Sequence, residues 1–306
     1  MRLGAEKGLS AASHQHVAVM VDEVVGLVRA SKPLLVVDAT VGTGGHAEAL
    51  LEATDARLLG LDRDAVALSV AGARLERFAP RVTLCQADFR DLDTVLDDCG
   101  TPCADAIVAD LGMSSFALDD PARGFSFRVD GPLDMRMDQR QPLSARDLVN
   151  EESEEELARI IHTYGEDRAA RRIARAIVDA RRRHPLETTG ELRALVEGAV
   201  GGRRRGGINP ATRTFQAFRI AVNAEMESLD AFLAKAPGRL SAGGRIVILA
   251  YHSLEDRPVK RRFRELVQAG EFDAVTRKAL RPSAAEAVRN PRARSGRLRC
   301  VERKAS

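Results

Sequence analysis

Four aspartates stand at the ends of predicted strands, where their carboxylates could act together. Asp38, Asp62, Asp88 and Asp110 each follow a run of mainly apolar residues, which is typical of a buried parallel strand. The carboxyl ends of parallel strands meet at one edge of a sheet, and ligands bind there. Aspartate also starts turns and caps helices, which is the alternative role for each position. Their shared placement favours an acidic ligand site along this edge.

A glycine-rich turn after the first of these strands predicts a nucleoside-containing ligand. Three glycines follow Asp38 within seven residues, so the backbone can turn sharply and a ligand can lie against the main chain. The second strand ends on Asp62, at about the spacing at which nucleotide-binding folds present a carboxylate to a ribose. An ordinary strand–turn–helix with a flexible loop is the alternative.

The residues around this turn favour S-adenosylmethionine over a dinucleotide. Gly42, Gly44 and Ala47 satisfy the loose dinucleotide fingerprint, which is weak by itself. Asp38, however, would face a pyrophosphate unfavourably but could accept from an ammonium group, and His46 adds bulk where a pyrophosphate normally meets bare backbone. S-adenosylmethionine carries an ammonium group, a ribose and no phosphate, so it suits this loop better.

The elements that must position these residues alternate between strand and helix, which predicts a parallel, doubly wound α/β sheet. The alternation stops at about residue 116, and helical patterns follow without a convincing strand. A stretch of roughly 100 residues is too long to be a loop, which indicates an inserted helical domain. A single helix over 214–234 then leads back to the sheet. The predicted division is a flexible tail (1–13), a first part of the sheet domain (14–115), the helical insert (116–214) and a second part (215–306).

Composition indicates a reduced, cytoplasmic protein with no structural metal and no membrane segment. The four cysteines form no paired motif, and the amino terminus has no apolar segment of signal-peptide length. The net charge of +3 is too small to establish nucleic-acid binding. Arginine clusters in the second half favour a polyanion partner over solvated helix faces. These clusters lie at 168–175, 181–184, 203–205 and 289–303.

Longer motifs extend over nearly the whole chain. The run 123–138 and the run 252–257 are far more specific than the glycine motif 38–46, which many methyltransferases share. Further matching segments lie at 16–23, 110–115, 209–219 and 290–295. Through these segments the chain resembles the bacterial ribosomal RNA small-subunit methyltransferase H family, also called MraW.

The resemblance implies a Rossmann-like S-adenosylmethionine-dependent methyltransferase sheet with an inserted all-helical domain. It also implies methyl transfer to the exocyclic N4 of a cytidine in the decoding region of 16S ribosomal RNA, within the small subunit. Asp62 would accept from the ribose hydroxyls and Phe89 would offer an apolar face to adenine. Ala117 stands where the family has a further contacting glutamine, which puts that contact in doubt. The cofactor contacts that the resemblance implies are Gly44, Gly45, His46, Asp62, Phe89 and Asp110.

Asp110, Ser114 and His252 are the predicted catalytic residues. A cytosine amine is a poor nucleophile, so alignment and nearby proton acceptors must supply most of the catalysis. Asp110 lies at a strand end with Ser114 in the turn behind it, although a purely cofactor-binding role for Asp110 is equally open. His252 follows the last predicted strand and is placed at the edge of the site. The alternative is a histidine whose hydrogen bonds are satisfied within a turn.

RNA binding is predicted for two groups of residues, one at the end of the insert and beyond it and the other within the insert. Arg213, Gln216 and Arg219 lie on one helix and could contact phosphates and base edges, unless they only form salt bridges. The triplet Arg203, Arg204 and Arg205 lies in a glycine-rich turn. Two other functions stay open, an NAD-dependent oxidoreductase and a non-catalytic RNA-binding protein with a relic cofactor pocket. The oligomeric state is also open, a homodimer being one option.

Overall fold

The computed structural model describes residues 18–113, 115–202 and 209–305. Within these ranges a single mixed sheet forms the centre of the molecule, and its strands are β1 (Leu35–Asp38), β2 (Arg57–Asp62), β3 (Val82–Gln86), β4 (Ala104–Asp110), β5 (Leu240–Ala250), β6 (Phe272–Ala274) and β7 (Arg297–Arg303). The strand order is β3-β2-β1-β4-β5-β7-β6. The first five strands are parallel, and β7 runs antiparallel to both β5 and β6.

Helices cover both faces of this sheet and form a second body beside it. In chain order they are α1 (Val21–Arg29), α2 (Gly45–Ala53), α3 (Ala65–Leu75), α4 (Leu92–Asp98), α5 (Ser115–Asp119), α6 (Ala145–Glu151), α7 (Glu154–Gly165), α8 (Ala170–Arg181), α9 (Thr189–Val200), α10 (Ala211–Val222), α11 (Glu225–Lys235), α12 (Ser253–Gln268) and α13 (Ala284–Arg289). All four residues of β1 are buried, because helices pack against both faces of the central strands. No described helix is long and apolar enough to cross a membrane.

Helices α6 to α10 enclose a hydrophobic core of their own. Phe215 and Phe218 of α10 belong to that core, together with residues of α6, α7, α8 and α9. A boundary at residue 214 would cut through α10 (Ala211–Val222), whose buried residues pack into this core. We propose that the inserted unit spans 116–222.

The predicted single helix over 214–234 is wrong. Helix α10 ends at Val222, and α11 begins at Glu225 after Ala224 has taken a left-handed conformation with φ of 46°. The side chain of Asn223 fixes this break, since its amide donates to the Met135 carbonyl and its oxygen accepts from the Met137 backbone N–H, each across 2.8 Å. No glycine or proline marks the break in the sequence.

Only part of the basic run 289–303, which was predicted from its composition to favour a polyanion partner, is exposed to solvent. Residues 297–303 form β7, in which Leu298 and Cys300 are buried. On the other face Arg299 pairs with Asp256 at 2.7 Å and Arg297 pairs with the same carboxylate at 3.3 Å. Asp256 therefore offsets part of the charge of Arg297 and Arg299 inside the fold, whereas Arg289, Arg292 and Arg294 are exposed.

Candidate active site

A cavity of about 340 Å³ opens at the carboxyl ends of β1, β2, β4 and β5. The strand-end loops supply its floor, and the helical insert supplies part of its wall through Met137 and Arg219. Asn290, Arg292 and Ser295, which precede β7, close the remaining side. Its volume is within the range of small-molecule sites.

The turn after β1 brings the main chain to the cavity. Gly42 and Gly44 have φ of 52° and 84°, which side-chain-bearing residues rarely adopt. A Cβ on Gly45 would lie 3.0 Å from the Cβ of Ala18, so this position also has no room for a side chain. Gly45 and His46 line the cavity, whereas Gly44 lies behind it, against Ala71.

Asp62 is held in the cavity wall by two backbone N–H groups. One carboxylate oxygen accepts from Gly42 at 2.8 Å and the other from Asp64 at 2.9 Å. Burial raises the pKa of Asp62 to about 6, although these hydrogen bonds oppose the rise. Each oxygen keeps a lone pair, so the carboxylate can accept from ligand hydroxyls.

Asp110 lies at the end of β4 between a tyrosine and a histidine. The Tyr251 hydroxyl donates to Oδ1 across 2.7 Å, and His46 Nδ1 lies 3.5 Å from Oδ2. His46 Nε2 is 2.8 Å from the Val19 carbonyl, so we assign the Nε2 proton to that hydrogen bond. Burial raises the pKa of Asp110, against the lowering influence of His46 and Tyr251.

Asp38 adds a further carboxyl group directly below the cavity. It is 2 % exposed and is not among the lining residues. Burial raises its pKa to about 7, and the nearby Asp110 and Asp62 contribute to that rise. The floor of the site is therefore rich in carboxyl groups.

His252 caps the first turn of α12 at the edge of the cavity. Its Nδ1 accepts from the Glu255 backbone N–H at 3.4 Å. Its Nε2 lies 3.0 Å from Glu255 Oε1 but out of line for a hydrogen bond. Burial would raise the pKa of Glu255, yet the neighbouring His252, the Tyr251 backbone N–H and the charge of Arg219 bring it below its ordinary value.

Phe89 lines the cavity near the end of β3. Its ring packs edge-on against Phe232 with the ring centroids 5.3 Å apart, so its position is fixed by the core. Leu229 and Met226 of α11 also line this part of the cavity. The arrangement forms an apolar surface on which a flat ring could lie.

The three residues predicted to bind RNA from one helix have different surroundings. Arg219 lines the cavity and forms a bidentate pair with Glu225 at 2.7 and 2.8 Å. Gln216 is half-buried and donates to the Tyr164 carbonyl at 3.4 Å. Arg213 is exposed and donates to the Glu166 carbonyl at 2.9 Å.

Some predicted positions are absent from the site as the structure describes it. Ser114 and the triplet Arg203, Arg204 and Arg205 lie outside the described residues. Ala117 is buried in the core of the helical insert, and its neighbour Leu118 lines the cavity instead.

Sequence reasoning missed Tyr251 and Glu255 as parts of the site. Both lie beside His252, but the contact of Tyr251 with Asp110 depends on the pairing of β4 with β5, and Glu255 accepts from the Tyr251 backbone N–H. It also missed that Asn290, Arg292 and Ser295 close the cavity. These three residues belong to the motif 290–295, which was the sequence signal that could have placed them at the site.

The charges of the cavity distinguish between classes of cofactor. Its three described lining arginines are all paired with carboxylates: Arg63 with Asp88, Arg219 with Glu225, and Arg292 with Asp119. Asp62 and Asp110 have no arginine partner among the described residues. A pyrophosphate would lack a free cation here, whereas a sulfonium and an ammonium group would be stabilised. The described residues also contain no cluster of histidine, cysteine and acidic side chains able to hold a metal ion.

The sheet order, the glycine turn after its first strand and this acidic cavity define an S-adenosylmethionine-dependent methyltransferase. The model of the MraW methylase family matches residues 13–304, and the chain belongs to this family. It is 47% identical to the ribosomal RNA small subunit methyltransferase H of Cutibacterium acnes, over 94% of this chain and 91% of that protein. It is 46% identical to the protein of that name from Sorangium cellulosum, again over 94% and 91%.

Proposed function

We propose that this protein transfers a methyl group from S-adenosylmethionine to the exocyclic N4 amine of a cytidine in the decoding region of 16S ribosomal RNA. The observation that carries the proposal is the acidic cavity at the strand ends, whose described arginines are all neutralised. Such a cavity suits a cationic cofactor and a neutral base. The ribosomal RNA substrate is supported by membership of the family and by the names of its relatives.

Five residues are proposed to hold the cofactor. Gly45 and His46 would lie beside its methionine part, since the chain there leaves no room for larger groups. Asp62 would accept from the ribose hydroxyls, and Phe89 would pack against the adenine. Asp110, at the end of β4, would lie where the methyl group and the target base meet. When bound, S-adenosylmethionine supplies an activated methyl group on a positively charged sulfur.

Asp110 is proposed to act on the cytosine amine. The amine is a poor nucleophile because its lone pair is delocalised into the ring. A carboxylate that accepts from the N–H directs electron density to nitrogen, which then forms its bond to the methyl carbon as the carbon–sulfur bond breaks. The positive charge that develops on nitrogen is stabilised by the same carboxylate, which can take up the departing proton. Tyr251 orients Asp110 for this role.

The target base has to leave its stack to reach the cavity, which costs least in single-stranded or looped RNA. We propose the small ribosomal subunit in the cytoplasm as the natural substrate. His252, at the cavity edge, would contact the extruded nucleotide.

The test is methyl transfer from labelled S-adenosylmethionine to small ribosomal subunits that lack the modification. Digestion to nucleosides should recover the label as N4-methylcytidine, and mapping should place it in the decoding region. RNA binding without any turnover would instead support a relic cofactor pocket. Tight binding of NAD(H), with none of S-adenosylmethionine, would support an oxidoreductase.

A further inference from the structure

Helix α8 presents a stripe of arginines to solvent. Arg171, Arg172 and Arg175 lie on one face of the helix, Arg168 lies in the turn just before it, and all four are exposed. The opposite face packs into the core of the insert. Arg175 lies 3.5 Å from Glu154, and its side chain is still 72% exposed.

Helix α12 carries a second stripe with the spacing i, i+3, i+4, i+7. Arg257, Lys260, Arg261 and Arg264 are all exposed, while Val259, Phe263 and Leu266 face the core of the sheet domain. The two acidic residues of the first turn, Glu255 and Asp256, are buried and already have partners. Exposed Glu265 lies 4.0 Å from Arg261 and 3.7 Å from Arg262, and the outer face of α12 keeps a net positive charge.

The two stripes begin at one place, at the rim of the cavity. Helix α12 starts directly after His252, which lines the cavity. Ser253 donates to Glu166 Oε2 at 3.1 Å, and Arg257 forms an ion pair with the same carboxylate. Glu166 follows the last residue of α7 and precedes Arg168 by two positions. The exposed Arg213 also donates to its carbonyl.

We propose that these two stripes form one basic rim that binds the phosphates of the RNA strand on both sides of the target nucleotide. The basic rim consists of Arg168, Arg171, Arg172, Arg175, Arg257, Lys260, Arg261 and Arg264. Exposed cations at one-turn intervals suit a flexible polyanion and offer no selection among bases. Phosphates held beside the cavity offset the cost of extruding a base into it. The inference rests on the proposed function and adds the surface by which the substrate is held.

Two triple variants and a matched control test the basic rim. One variant changes Arg171, Arg172 and Arg175 to Gln, and the other changes Lys260, Arg261 and Arg264 to Gln. The control changes Arg29, Lys32 and Arg57 to Gln, three exposed cations at the opposite edge of the sheet. Binding to an unmodified transcript of the 16S decoding region is measured by fluorescence anisotropy at several KCl concentrations. The S-adenosylmethionine affinity of each variant checks that it is folded.

Each rim variant should flatten the slope of log Kd against log salt by about 2, since a single-stranded phosphate contact contributes about 0.7 to that slope. The control variant should keep the wild-type slope. Rim variants with the slope of the control would overturn the inference. Unchanged RNA binding together with lost binding to phosphatidylserine vesicles would also overturn it, in favour of a membrane surface.

Methylation assays separate this inference from the proposed function. If wild type methylates small subunits and the rim variants keep its KM, the basic rim does not bind the substrate, and the proposed function remains supported. If RNA binding depends on the rim and wild type methylates nothing, the proposed function is wrong and the rim stands. Both ideas together predict a raised KM for the subunit with little change in kcat at saturation.

Discussion

At the scale of single residues, Tyr251 sets the state of Asp110. Burial and the neighbouring carboxylate raise the pKa of Tyr251 well above its ordinary value, so its hydroxyl stays protonated and donates. Burial raises the pKa of Asp110, and His46 and this hydrogen bond from Tyr251 oppose the rise. Because only ionised Asp110 can take up the amine proton and stabilise the positive charge on nitrogen, activity should be lost as the pH falls through its pKa.

Tyr251→Phe should therefore move the acidic limb of the kcat–pH profile to higher pH, by about one unit if the bond is worth about 1.5 kcal/mol. Turnover at neutral pH should fall, and S-adenosylmethionine affinity at pH 8 should stay near wild type. Tyr164→Phe is the matched control, because its hydroxyl donates to Glu227 at an exposed position. If the acidic limb of the kcat–pH profile did not shift in Tyr251→Phe, the hydrogen bond from Tyr251 would not control the pKa of Asp110.

Asp62→Ala should weaken S-adenosylmethionine binding by about 2 kcal/mol, because charge-assisted hydrogen bonds to the ribose are lost. Isothermal titration calorimetry gives the affinity directly. Asp55→Ala changes an exposed aspartate in the loop before β2 and should bind like wild type. A wild-type affinity in Asp62→Ala would remove Asp62 from the site.

Individual residues show why a sequence leads to some site positions and not others. Asp62 and Asp110 line the cavity because the ends of parallel strands share an edge, which local pattern predicts. Asp88 lies at the same edge but pairs with Arg63 at 3.0 Å, and it does not line the cavity. That pairing and the Tyr251–Asp110 bond depend on contacts between distant segments, which no local pattern contains.

At the scale of elements, strands and helices with strong periodicity were predictable, and the exceptions have physical causes. The break between α10 and α11 is made by Asn223, whose partners are Met135 and Met137 in a distant loop. Strand β7 alternates buried and partly exposed residues, and its arginines occupy the partly exposed positions. Its arginine content alone therefore does not indicate a strand. Two of these arginines, Arg297 and Arg299, pair with Asp256 of α12, a contact that the local sequence of β7 does not contain.

The attachment of the helical insert to the sheet domain gives a prediction at this scale. Arg123 pairs with Asp64 at 2.9 Å, with side chains 9% and 8% exposed, and it also donates to the Arg136 and Met137 carbonyls. Arg123→Gln should lower the free energy of unfolding by about 3 kcal/mol, because it leaves a buried carboxylate unpaired. Urea denaturation measures the change. Arg128→Gln, at an exposed position of the same loop, should have almost no effect.

At the scale of the whole molecule, cofactor binding is coupled to folding and to pH. Burial raises the pKa of Asp38 to about 7 and that of Asp62 to about 6, so the folded apo-protein binds more protons than the unfolded chain between about pH 4 and 7. Stability without ligand should therefore fall as the pH rises through this window. A cationic cofactor favours the ionised carboxylates and should counteract the loss.

S-adenosylmethionine should accordingly bind more tightly at pH 8 than at pH 5.5, with release of protons, and should raise the Tm more at the higher pH. Calorimetry in buffers of different ionisation enthalpy counts the protons released. Proton uptake, or an affinity that falls with rising pH, would contradict the acidic cavity as the cofactor site.

The most direct test of the account is single-turnover methylation of unmodified small subunits by wild type and by Asp110→Asn, with cofactor and subunits saturating. The amide keeps the size of the side chain but loses the negative charge beside the target amine, so the loss should fall mainly on the transition state. The account predicts a much slower methylation step in the variant, with nearly unchanged affinity for subunits, and N4-methylcytidine as the wild-type product. A normal single-turnover rate together with a raised dissociation constant for S-adenosylmethionine would contradict it, because Asp110 would then only bind the cofactor.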